Sequence, residues 1–260
     1  MAHVLDFSGL GVSEKVEEKI QIPQPTGDIK KVMIKEKLKN LGFEMSDFAL
    51  GAFDHIGEAA ARKSRDPNSE LYKTKGCFFR PNYERGILIY ALIKKYKIKS
   101  FLEIGFGRGY GTLCAAMAMH ENGAGRIVTV DPNFNEDHIN YLGQIFPEQW
   151  FQMIQFMGGT SDDYFTKFDE KFDMIYLDGD HTYKAVLNDW NHSKDRYNKV
   201  LLFDDYHLPT KRDANIECAA VIDQIEDDSK ELIIMDRRIF LDDRGYTDDQ
   251  IDYGQVLLTR

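Results

Sequence analysis

Two short stretches hold the side chains best suited to acid, base or metal chemistry. In Met174–Tyr183, MIYLDGDHTY, an apolar run ends at Asp178 and is followed at once by Asp180 and His181. In Val200–His207, VLLFDDYH, a second apolar run ends at the acidic pair Asp204 and Asp205. Adjacent strands of a parallel sheet lie about 4.8 Å apart, so carboxylates at both strand ends converge within reach of one cation. Left uncompensated, so many negative groups would repel one another and resist burial. A hard divalent ion with oxygen ligands resolves the conflict, and magnesium is the default. The competing reading makes these acids solvated turn residues or helix caps, since Asp ahead of a helix is common.

A third stretch, FLEIGFGRGYGT from Phe101 to Thr112, carries glycine at every second position behind an apolar run. Gly105, Gly107 and Gly109 permit positive φ and let a ligand approach the main chain without a Cβ clash. The helix expected from about Gly111 aims its unpaired N–H groups at the same place. A dinucleotide fingerprint would need a third glycine where Tyr110 stands, and the Gly-Lys-Ser/Thr ending of a phosphate-gripping loop is missing.

These stretches need elements that carry them to one edge. From Ser100 onward apolar runs alternate with helical segments. The runs are Phe101–Ile104, Ile127–Val130, Met153–Phe156, Phe172–Leu177, Val200–Phe203, Leu232–Met235 and Val256–Leu258. The helices are Tyr110–Glu121, Glu136–Phe146, Tyr183–Arg196 and Ala214–Glu226. Apolar strands joined by helices imply a parallel sheet covered on both faces. The expectation is therefore a doubly wound, Rossmann-like α/β fold of seven strands, binding ligands outside the carboxyl ends of the strands. No convincing helix separates the final two runs, so the last strand is expected to be antiparallel. Residues 1–98 read as a mostly helical N-terminal extension and 99–260 as the main domain. Helices are expected over Ser46–Lys63 and Tyr83–Tyr96, and the opening residues form an arm without a clear period.

FLEIGFGRGYGT resembles the first motif of class I S-adenosylmethionine-dependent methyltransferases, in which an acidic residue precedes G-x-G-x-G. The resemblance implies that Gly105, Gly107 and Gly109 pass beside the methionine part of the cofactor. Glu103 either orients the loop from behind or touches the cofactor. It continues in IVTVDPN, where Asp131 stands at the position that family gives to a carboxylate on the ribose hydroxyls. In GGTSDDYF, Thr160, Ser161 and Asp162 stand on the adenine side. The two acidic stretches are similar to those of metal-dependent O-methyltransferases that tailor macrolide and aminocoumarin sugars. Carried over, Asp178, Asp204 and Asp205 would hold magnesium or another divalent cation, and the base would be Asp180 or His181. Chemistry favours His181, whose ordinary pKa lies near neutrality. The resemblance covers residues 76–260, and implies methyl transfer to a hydroxyl of a sugar, a sugar conjugate or a related small molecule.

Asp178-Gly179-Asp180-His181-Thr182 also fits D-x-D-x-T, the nucleophile motif of haloacid-dehalogenase-type phosphatases. That family places it on the first core strand, whereas three strand units precede it here. A non-catalytic cofactor-binding module is the remaining alternative. Arg80 and Tyr83, ahead of the first strand of the main domain, and Tyr206 and His207, beside the acidic pair, are further candidates for acceptor contact, while Tyr183 and Trp190 are expected to pack inward. A net charge of −10 argues against affinity based on neutralising phosphates, so nucleic acid is not an expected partner. No run of membrane-spanning or signal length is present, which makes the cytoplasm the default address; a homo-oligomer is compatible with all of this. Cys77, Cys114 and Cys218, odd in number and far apart, suit reduced thiols better than disulfides or a zinc site.

Overall fold

The computed structural model describes residues 4–6, 21–44, 83–207, 216–234 and 253–260. The arm gives strand β1 (Val4–Asp6), strand β2 (Lys30–Met33) and helix α1 (Ile34–Leu41). Helix α2 (Tyr83–Tyr96) leads into β3 (Ser100–Ile104), α3 (Tyr110–Glu121), β4 (Arg126–Asp131) and α4 (Glu136–Ile145). Next come α5 (Glu148–Phe151), β5 (Ile154–Gly158), α6 (Ser161–Lys167), β6 (Phe172–Leu177) and α7 (Tyr183–Ser193). Strand β7 (Tyr197–His207), α8 (Cys218–Ile222), β8 (Glu231–Ile234) and β9 (Tyr253–Thr259) complete it.

The strands form one sheet in the order β1-β5-β4-β3-β6-β7-β9-β8-β2. Its middle seven are the seven expected, and β9 runs antiparallel to both of its neighbours. The two strands beyond expectation, β1 and β2, pair in parallel with β5 and β8 at opposite edges. Each covers a row of N–H and C=O groups that an open edge would leave unpaired.

Side chains alternate across each strand, so one face of β3 shows Phe101 and Glu103 and the other Leu102 and Ile104. Phe101, Met174 and Val200 share a core with residues of α1, α2 and α3. Leu102, Ile175 and Leu201 share the opposite core with residues of α6, α7 and α8. Tyr183 and Trp190 do pack inward on α7, the indole against Phe203.

Among the helices, α7 ends at Ser193 and not at the expected Arg196, α5 and α6 were not expected, and the expected helix after β7 is shorter. Of the expected Ala214–Glu226 helix, the described part is helical only over Cys218–Ile222. Lys230 Nζ takes the carbonyls of Ile222, Asp223 and Ile225, at 3.0, 3.3 and 2.6 Å, and so ends the helix with a side chain instead of further turns. GGTSDDYF contains a helix start. Thr160 and Asp163 form a reciprocal capping box that begins α6 at Ser161. The expected Ser46–Lys63 helix lies outside the described residues.

Candidate active site

The carboxyl ends of β3, β4, β6 and β7 meet at one rim. Strand register sets Leu177 of β6 opposite Phe203 of β7, so Asp178, just past the end of β6, and Asp204, within β7, follow as neighbours. Glycine is required at the loop after β3. Gly105 has φ +93°, and a Cβ there would lie 2.0 Å from the carbonyl oxygen of Asp178. The glycine loop and the acidic loop are therefore in van der Waals contact. Gly107, at φ +50°, is different: among the described residues a Cβ there would meet nothing within 4 Å, which leaves an open cradle beside the main chain. Its N–H donates to Asp131 Oδ2 at 3.0 Å, and Asp131 Oδ1 accepts from Asn133 N at 2.7 Å. Each carboxylate oxygen keeps a second lone pair for a diol.

Glu103 lies beneath the loop. It is 1% exposed and accepts from the hydroxyls of Thr112 and, at 2.7 Å, Thr129. Burial is the main cause that pushes its carboxyl up to about 8, against the pull of both hydroxyls. On the adenine side all three expected side chains are engaged. Thr160 Oγ1 donates to Asp163 Oδ2 at 2.7 Å, Ser161 bonds to Asp189, and Asp162 binds His192 Nε2 at 2.8 Å and Asn188 at 3.0 Å. Ser161 and Asp162 fasten α6 to α7, Thr160 caps α6, and any contact the three make with a ligand must share those bonds.

Around the acidic pair the structure adds a residue the sequence did not point to. Arg85 of α2 reaches Asp204 Oδ2 through one terminal nitrogen and Asp205 Oδ1 through the other, both at 2.5 Å. One guanidinium can hold both acids because β7 carries an irregularity between Phe203 and Tyr206. Asp205 there has φ +50°, and such a bulge turns consecutive side chains toward one side. Asp204 is 2% exposed; its Oδ2 also accepts from Tyr176 Oη at 2.7 Å and its Oδ1 from Asp205 N at 2.8 Å. Burial alone would raise Asp205, but Arg85 and His181 more than offset it and hold that carboxyl below its ordinary value. Asp178 goes the other way, pushed well up by burial and by the charge of Asp204.

His181 faces this cluster, with Nε2 3.3 Å from Asp205 Oδ2 and Nδ1 3.8 Å from Cys218 Sγ. Asp180 is exposed and accepts from Thr182 N at 2.9 Å at the start of α7. Tyr206 and His207 are buried, and Tyr206 Oη donates to Asp223 at 2.8 Å. Arg80 and Cys77 lie outside the described residues, as does the side chain of Tyr83; Cys114 and Cys218 are buried free thiols.

A magnesium shell of Asp178, Asp204 and Asp205 does not fit this arrangement. Both oxygens of Asp204 are bonded internally, and its charge is matched by Arg85. The ligand atoms that do gather, within 4.8 Å of one another, belong to Asp178, His181 and Asp205, and using them would occupy the candidate base.

Residues 102–206 match a family model described as a methyltransferase domain. The chain is similar in fold to TomG, an O-methyltransferase of Streptomyces achromogenes involved in tomaymycin synthesis and solved with S-adenosylmethionine. The identity is 16%, coverage is 88% of this chain and 99% of that one, and the TM-score is 0.52. An O-methyltransferase from Bacillus cereus solved with S-adenosylhomocysteine aligns at 15% identity over 83% of this chain and 94% of that one, with a TM-score of 0.51. A methyltransferase from Geobacter sulfurreducens aligns at 14% identity over the same shares, 83% and 94%, with a TM-score of 0.53. No curated protein sequence matches the chain. Residues 102–206 thus match a methyltransferase-domain family, and the chain shares the Rossmann-like fold of these solved methyltransferases.

Proposed function

We propose that the protein is an S-adenosylmethionine-dependent O-methyltransferase acting on a hydroxyl of a small molecule, with a sugar or sugar conjugate as the acceptor class. One observation carries the reading: the open cradle at Gly107 and Asp131 lies on a loop that touches the loop bearing Asp178 and His181. A methyl donor held at the first would present its sulfonium toward the second. Asp178 follows the sixth strand of the chain, which disfavours the phosphatase alternative, where the nucleophilic Asp begins the core.

The chemistry follows from the chain's own groups. The acceptor oxygen attacks the methyl carbon in line, the C–S bond breaks, and its electron pair stays on sulfur. His181 accepts the hydroxyl proton. The imidazolium so formed stands 3.3 Å from Asp205, which stabilises it and fixes the ring. Burial keeps the Cys218 thiol protonated, its pKa well above the usual range, so the sulfur stays a neutral partner. The rest of the acceleration comes from holding donor and acceptor at near-attack distance. The test is methyl-labelled S-adenosylmethionine with a panel of sugars and vicinal diols. Label in an acceptor hydroxyl supports the reading, whereas label in none of them, with no donor binding, contradicts it.

A further inference from the structure

We propose that Arg85 is the resident cation of the acidic pocket, supplying the positive charge that related sites would take from a divalent ion, so that methyl transfer here does not depend on magnesium. The inference rests on the methyltransferase reading for the reaction, but on the ion pairs alone for the charge.

The ionisable groups around the pocket are Asp178, Asp204 and Asp205 on the acidic side and Arg85, His181 and His207 on the basic side. The guanidinium is planar and carries its donors in a fork, so it can serve two carboxylates at once where an ammonium could not. Here it does so at 2.5 Å on each, from a side chain only 17% exposed. Asp204 Oδ2 is then filled by Arg85 and Tyr176, and Oδ1, which holds the Asp205 amide, keeps a single lone pair. Asp205 is divided between Arg85 and His181. Removing a magnesium ligand and adding a cation at the same place both lower affinity for a second cation. An ion that enters between Asp178, His181 and Asp205 meets an imidazole, which suits zinc better than magnesium. It would tie up the base and inhibit.

Calorimetry on the full chain after chelator treatment tests this, with magnesium titrated into wild type and Arg85→Met, and S-adenosylhomocysteine titrated separately. Wild type is expected to show no saturable magnesium uptake at millimolar concentration, and label transfer should survive the chelator. Arg85→Met frees Asp204 and Asp205 and is expected to gain magnesium affinity by about tenfold or more. Saturable magnesium uptake by wild type, or an Arg85→Met variant that folds and gains none, overturns the proposal. Should that variant not fold, wild type decides: uptake that Asp204→Asn abolishes overturns it, and no uptake upholds it. Absence of S-adenosylhomocysteine binding would sink the methyltransferase reading alone, leaving the magnesium titrations to decide the role of Arg85.

Discussion

His181 and Asp180 are separated by one peptide bond but by a large difference in surroundings. His181 turns inward to Asp205 and Cys218, whereas Asp180 turns outward and holds the Thr182 amide. His181→Ala is expected to lower the chemical step by about 10²–10⁴ at unchanged donor affinity, read by single-turnover label transfer. Asp180→Ala should act through stability, losing about 0.5–2 kcal/mol from the helix start, read by chemical denaturation. A reversed pattern would move the base to Asp180. At this scale the acids were legible because each ends an apolar run, and strand tips are where such folds put their chemistry. Arg85 was not. It lies 120 positions before Asp205 in the chain, on a helix readable only by its apolar residues, and no local spacing links it to the pair.

The elements bring these residues together through a few steric constraints. Gly105 cannot take a side chain without striking the Asp178 carbonyl, so Gly105→Ala should lower the melting temperature and weaken S-adenosylhomocysteine binding in parallel. Retained binding in a destabilised variant would separate loop geometry from the cradle. Beneath the loop, Glu103 titrates near 8 in the folded chain against 4.5 as its ordinary value. Its folded pKa is raised, so its contribution is complete below the unfolded value and is lost as pH rises through the folded one. Wild-type stability relative to Glu103→Gln should therefore fall between pH 4.5 and 8, read as the difference in melting temperature across that window. A constant difference would place the carboxyl's titration elsewhere. The strands and most helices of residues 99–207 could be read from their apolar periods. The start of α6 was written in the Thr160–Asp163 capping box, but GGTSDDYF invites a loop reading because its apolar residues come late. The irregularity that lets Asp204 and Asp205 share one partner depends on pairing with β9, about fifty residues later, and has no local signature.

At the scale of the whole molecule, the N-terminal arm belongs to the sheet. Val32, Ile34, Leu38 and Leu41 are buried in the same core as α2 and α3, and Lys30 and Lys37 both pair with Glu231 on β8. The sequence suggested an extension laid on a finished domain, because a four-residue strand containing two lysines looks like solvated chain. Its partner strand is about two hundred residues away. Deleting residues 1–44 should expose the β8 edge and a block of apolar side chains, giving aggregates on size-exclusion chromatography. A monodisperse product with an unchanged melting temperature would show that the arm is dispensable. No helix among the described residues is long and apolar enough to cross a membrane.

The central claim is that the β3 loop and Asp131 form the seat of a methyl donor beside the His181 base. It is tested most directly by titrating S-adenosylhomocysteine into wild type and Asp131→Ala in a calorimeter. One saturable site is expected in wild type, weakened by about tenfold or more in the variant, as befits the loss of charge-assisted hydrogen bonds. No uptake by wild type, or equal affinity in both proteins, would contradict the account.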